Sequence, residues 1–330
     1  MNKNIGYAIA FALALAAPFY GYPIFLMKLL CFALFACAFN LLIGFTGLLS
    51  FGHAAFFGSA GYVAGYALRS LELPFELSLL LGVAAGALIG LAMGALAIRR
   101  QGIYFTMITL ALAQMVYFLA LQSPLTGGED GLQGVPRGML LGIIDLSNDR
   151  VMYYVVLAIA IGGFALIMRT VHSPFGQVLK AIKENEPRAI SLGYDVDKYK
   201  LMAFVLSAAL TGLAGATKTV VLGFETLTDV HWAMSGLVVL MTLVGGMGTL
   251  AGPIVGAVII IALENKLGDF GIFLASQTGV DWFLNLGESV SMVSGVIFVV
   301  CVLLFRRGIV GEMIAFFGAR PSSRPGNKTA

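Results

Sequence analysis

The residues best suited to polar chemistry in this chain are Lys183, Glu184, Glu186 and Arg188, with Ala189 and Gly193 close behind them. They fall in 173–200, SPFGQVLKAIKENEPRAISLGYDVDKYK, which carries nine formal charges of a total of 20 basic and 17 acidic residues. Mixed Lys, Glu and Arg on short helices suit ion pairing with a partner protein. Catalytic arrangements are missing elsewhere. His53, His172 and His231 are far apart and have no paired Cys or carboxylate spacing for zinc. No GxxxxGK followed by Ser or Thr occurs, so the chain has no phosphate-cradling loop and cannot hydrolyse ATP by that route. Cys31, Cys37 and Cys301 lie in apolar stretches and read as small buried hydrophobes. An enzyme, a resident metal or a bound cofactor is not expected.

Two glycine clusters form a second set. In 40–65, NLLIGFTGLLSFGHAAFFGSAGYVAG, Gly44, Gly47, Ser50 and Gly52 favour a helix break, with His53 as a hydrogen-bonded residue beside it. In 245–257, GGMGTLAGPIVGA, Gly245, Gly246 and Gly248 favour another. Such breaks either line a pathway or let helices pack closely. A third set, Glu129 and Asp130 in 126–138, TGGEDGLQGVPRG, is either solvated turn or an electrostatic docking point. Acidic residues deep in a span would signal ion coupling. None is expected here. Glu225 and Asp229 belong to a turn, Glu264 and Glu288 fall near segment ends, and Lys28 and Lys218 are placed to snorkel to the interface. An ion-coupled secondary transporter and an ion channel both lose support, so energy must enter from elsewhere.

The elements that position these residues are membrane helices. With 59% hydrophobic and 11% charged residues, the composition excludes a soluble fold. Runs such as 29–68 and 232–263 lack Asp, Glu, Lys and Arg and exceed the about 20 residues of one span, so each is expected to hold two segments. The expected fold class is all-α, a polytopic helical bundle. Ten segments are predicted, 5–17, 24–46, 52–68, 76–98, 103–122, 151–170, 201–223, 231–248, 251–266 and 288–305, or eight to nine if the short ones are half-inserted. Placing both termini in the cytoplasm puts fourteen of the twenty basic residues inside, as the positive-inside rule asks. The permease domain is then 1–306, with a cytoplasmic loop at 171–200, a periplasmic loop at 123–150, and a cytoplasmic tail at 307–330. Inside the island, Ser173 and Pro174 start one helix, Pro187 starts a second, and Gly193 ends it.

The run from Ser173 to Ala216 and the stretch 40–65 resemble the permease subunits of branched-chain amino acid ATP-binding-cassette importers of the LivM type. Residues 126–138 and 245–257 also resemble segments of that family. Glu186, Ala189 and Gly193 are similar to the looser Glu-Ala-Ala-x-x-x-Gly coupling signature, with Pro187 and Arg188 interposed and the Glu to Gly distance one residue longer. The resemblance implies a bacterial inner-membrane protein without its own ATPase site. It implies as partners two ATPase subunits holding ATP and Mg, a second related permease, and a periplasmic amino-acid-binding protein. Nucleic acid is not among them. The island would dock on the ATPase, and the substrate would be leucine, isoleucine or valine. Within the same family, urea, amides or other amino acids are alternatives.

Overall fold

The computed structural model describes residues 13–278 and 308–318, together with 292, 293, 295, 296, 299 and 303. Apolar runs form α1 (Pro23–Phe45), α2 (His53–Arg69), α3 (Phe75–Ala97), α4 (Ile103–Gln122) and α5 (Asp149–His172). The island forms α6 (Pro174–Glu184) and α7 (Glu186–Ser191). Then follow α8 (Val196–Leu222), the single turn α9 (Leu227–Val230), α10 (Trp232–Gly245), α11 (Gly252–Thr278) and α12 (Gly308–Gly318). Among the described residues, α1, α3, α4, α5 and α8 are long and apolar enough to cross a membrane. The molecule is a mostly helical, multi-pass membrane protein.

Burial separates centre from periphery. The most apolar windows of α1 and α8 are 78% and 72% buried, whereas those of α3, α4 and α5 are only 17–33% buried, so the latter turn most of their surface outward. The centre is dense because α1 alternates small residues with Phe. Phe35 stacks on Phe57 of α2 at 4.5 Å between ring centroids, and small Ala and Cys beside the rings let neighbouring helices close in. On α3, Gly82, Gly86 and Gly90 repeat every fourth residue and meet Ala216, Gly212 and Ala208 of α8. This is the small-residue contact that substitutes for hydrophobic driving force inside lipid.

Several expectations are corrected. The fold is not purely α: β1 (Leu132–Gln133) pairs antiparallel with β4 (Phe224–Glu225), and β2 (Met139–Leu140) with β3 (Ile144–Asp145). The segment expected at 231–248 is a 14-residue helix, too short to span, because the chain breaks at Gly246. Its successor does not stop at 266 but runs 27 residues to Thr278, carrying Glu264 and Lys266 within it. Residues 308–318 form a helix, with Gly308 against the backbone of Gly246. Of the first expected segment, 13–17 lie in a helical stretch 13–20 and the rest falls outside the described residues. Most of the expected segment 288–305 also lies outside them.

Candidate functional site

The island is built by local capping. Ser173 Oγ accepts from Gly176 N, starting α6 behind Pro174, and Asn185 Oδ1 accepts from Arg188 N, starting α7. Gly193 closes α7 at φ +88, a left-handed conformation that disfavours any residue with a Cβ. Ile182, Ala189 and Val196 form a small core beneath the two helices. Glu184 and Arg188 are exposed, and Ala189 is buried. Glu186 turns inward: it pairs with the buried Lys200 of α8 at 2.8 Å and accepts from Gln101 Nε2 at 2.8 Å. That clamps the island to the turn between α3 and α4.

Four of the residues singled out by sequence converge at this end. Lys183 Nζ donates to Gly44 O at 2.7 Å, over the last turn of α1. Its stem lies 3.2 Å from where a Cβ of Gly47 would stand. Gly44 lies so close to Gly248 that a Cβ would sit 2.9 Å from its amide nitrogen. Asn40 ties the second break to α1, because its Nδ2 donates to Thr249 O at 2.8 Å and its Oδ1 accepts from Gly248 N at 2.9 Å. A cavity of about 340 Å³ lies between Gly44, Phe45, Lys180, Lys183, Glu184 and Gly248. The two glycine breaks and the first island helix are therefore one junction.

The remaining break residues lie deeper. Ser50 Oγ accepts from Gly52 N at 3.1 Å. His53, fully buried, hydrogen-bonds through Nε2 to Ser207 Oγ at 2.9 Å and is edged by the rings of Phe39, Phe56 and Phe204. Ser235 of α10 accepts from Ala54 N and donates to Phe51 O, both at 2.8 Å, so α10 supplies the partners the broken backbone lacks. Gly245 packs against Gly252 at the start of α11, and Gly246 against Gly308.

The opposite end corrects the reading of Lys218. It does not snorkel to an interface; it is 3% exposed, 2.5 Å from Asp229 Oδ2 and 3.2 Å from Glu225 Oε2. The cause is local. Gly223 ends α8 in a left-handed conformation, β4 turns back against β1, and α9 carries Asp229 over the lysine. Thr219 Oγ1 donates to Glu225 Oε2 at 2.5 Å, and Thr226 Oγ1 to Asp229 Oδ2 at 2.8 Å. Burial pushes the Glu225 carboxyl up to about 8, with Lys218 opposing and Asp229 reinforcing the rise. Its Oε1, buried without a partner, is the oxygen free to carry that proton. A neutral Glu225 beside a Lys218–Asp229 pair leaves no net charge in the cluster. Glu129 and Asp130 are exposed on a 3₁₀ turn (Gly128–Asp130) that packs against α9. Sequence reasoning missed this cluster, whose only trace is a lysine followed by acids seven and eleven residues later.

Among the described residues, no three His, Cys, Asp or Glu side chains are grouped to hold a metal. What is present is a helical membrane protein with broken helices and a projecting helix pair. The family model described as branched-chain amino acid transport system, permease component, matches residues 23–304, and the chain belongs to that family. The high-affinity branched-chain amino acid transport system permease protein LivM of Salmonella typhimurium is 28% identical over 263 residues, 73% of this chain and 62% of the relative. The ribose import permease protein RbsC of Bacillus subtilis is 30% identical over 192 residues, 56% of this chain and 53% of the relative. The xylose transport system permease protein XylH of Escherichia coli is 28% identical over 158 residues, 45% and 39% respectively. The chain thus spans about 62% of the length of the LivM relative it matches.

Proposed function

We propose that this chain is the membrane-spanning subunit of an ATP-driven bacterial inner-membrane importer for branched-chain amino acids. In this reading it pairs with a second related permease. A periplasmic binding protein delivers the substrate, seated in part by Glu129 and Asp130, and two ATPase subunits grip the island through Glu184 and Arg188. The carrying observation is the hydrogen bond from Lys183 Nζ to Gly44 O, which joins the island to both glycine breaks. A push on α6 reaches the carbonyl end of α1 through this bond and the second break through Asn40. The chain supplies a path and a transmission; hydrolysis belongs to the partners.

The amino-acid reading rests on the match to LivM, which covers more of this chain than the sugar permeases do. Uptake of pentoses is the second reading, motivated by the RbsC and XylH matches. The test is gentle solubilisation, identification of co-purifying subunits, and reconstitution in vesicles with labelled leucine, ribose or xylose. ATP-dependent leucine uptake competed by isoleucine and valine is expected. Sugar uptake would replace the substrate assignment. Uptake abolished by a protonophore but not by vanadate would overturn the ATP-driven reading.

A further inference from the structure

The loop between α4 and α5 holds two unlike halves. The first carries Glu129 and Asp130 and packs against α9, next to the ion cluster. The second, 139–145, MLLGIID, forms the β2–β3 hairpin, anchored by Leu146, which is fully buried. Above that anchor Met139 is 57% exposed, Leu141 73%, Ile143 84% and Ile144 42%. Four large apolar side chains thus project from one short hairpin, whose strands are joined by residues 141–143.

The turn itself argues against accident. Leu141 and Gly142 have φ +52 and +69, the geometry in which Asn, Asp or Gly is preferred at both central positions. A leucine there is in local conflict with its backbone, and such conflicts persist where the side chain has a task. The strained residue is held by Glu76, whose Oε1 accepts the Leu141 amide. Glu76 lies in the first turn of α3, one position before Leu77, where the outward face of that span begins with Leu77, Leu80 and Leu81. The hairpin tip therefore sits at the depth where α3 enters the hydrocarbon, and its apolar residues continue that face. Exposed aromatic residues stand at the same end of the bundle. Arg150, at the start of α5, lies over the ring of Phe19, and Tyr20 and Tyr22 beside it are exposed, as in the aromatic belt of a membrane interface.

We propose that the β2–β3 hairpin is an interfacial anchor whose tip, Leu141 and Ile143, inserts among lipid acyl chains, leaving only the Glu129–Asp130 half of the loop to face soluble partners. Amphipathic insertion of this kind takes its affinity from buried apolar side chains while the polar backbone stays near the headgroups. The site is independent of the transported substrate.

The experiment places a tryptophan at the tip, Ile143→Trp, in the full chain with Trp232 and Trp282 replaced by Phe, reconstituted with its co-purifying subunits in phosphatidylcholine vesicles. The expected result is blue-shifted emission, strong loss of intensity with lipids brominated high on the acyl chain, weaker loss with bromines deeper, and little quenching by aqueous iodide. Adding Leu141→Asn should relax the turn, shift the emission back to the red and restore iodide quenching. Iodide quenching in the single variant without lipid quenching would overturn the proposal in favour of a solvent-facing loop. Emission reached by neither quencher would overturn it in favour of a protein partner covering the hairpin. If the tryptophan impairs folding, attachment of a nitroxide at Ile143→Cys and comparison of its accessibility to oxygen and to a water-soluble nickel chelate give the same decision.

Discussion

Each end of the bundle sets a lysine against oxygen atoms, and the two arrangements differ in kind. Lys183 lies largely in the open and gives one hydrogen bond to a neutral carbonyl. Lys218 is enclosed between the Asp229 carboxylate and the Glu225 carboxyl, with two threonine hydroxyls completing the shell. A single hydrogen bond to a charged group contributes about 1.5–3 kcal/mol at most, less in contact with water, and can be made and broken within a transport cycle. Removing one partner from a buried ion set costs about 3–5 kcal/mol, because the charges left behind stay buried. The difference teaches where change is cheap. The Lys183 contact is built to be rearranged and the Lys218 cluster to hold its shape.

The comparison breaks most visibly at Lys218. Lys218→Met strands the Asp229 charge and should destabilise the chain by about 3–5 kcal/mol, read as a large fall in melting temperature in detergent. An unchanged melting temperature would remove the contrast. Next in size is Gly61→Ala. A Cβ there would sit 2.4 Å from Thr219 Oγ1 and 2.6 Å from the Glu225 carboxyl carbon, so overpacking of about 1–3 kcal/mol is expected in the same assay.

A smaller effect sharpens the account of the cluster. The Glu225 carboxyl is held at about 8, above its ordinary 4.5, so the fold favours its protonated form. That contribution is complete below about pH 4.5 and is lost as pH rises through about 8. Melting temperature should therefore decline as pH rises from about 4.5 to about 8 and level off above that, and Glu225→Gln, which keeps a neutral side chain, should flatten the decline. The smallest stability effect belongs to Lys183→Met, expected within about 0.5 kcal/mol of the parent. In the reconstituted complex it should nevertheless lower uptake per ATP hydrolysed. Co-purified ATPase with unchanged coupling would refute the role of Lys183 alone, whereas failure to recover any ATPase would refute the importer reading.

The helices and the island were legible because their signals are local. Ser173, Pro174 and Gly193 stand where capping rules put them, and the glycine-rich breaks follow from backbone preference alone. The breaks' junction was not legible, since Asn40 reaches Gly248 and Thr249 across more than 200 residues. The loop-end cluster was hidden for a different reason. A lysine near a helix end reads as snorkelling unless one knows that Gly223 folds the following acids back over it, a tertiary event that helical periodicity does not record. The strained Leu141 was equally invisible, because turn chemistry in sequence points to Gly142 and passes over its neighbour.

One feature of α8 links the two ends. It carries both Lys200, paired with Glu186 of the island, and Lys218, paired with Glu225 and Asp229. They are 18 positions apart, five full turns at 3.6 residues per turn, so they project from the same side about 27 Å from each other. The helix is thus a connecting rod riveted at both ends along one edge. Spinning it about its own axis would shear both rivets, while tilting or sliding it would carry them together. Displacement of the island should therefore arrive at the far end as a tilt, with the ion cluster as its pivot.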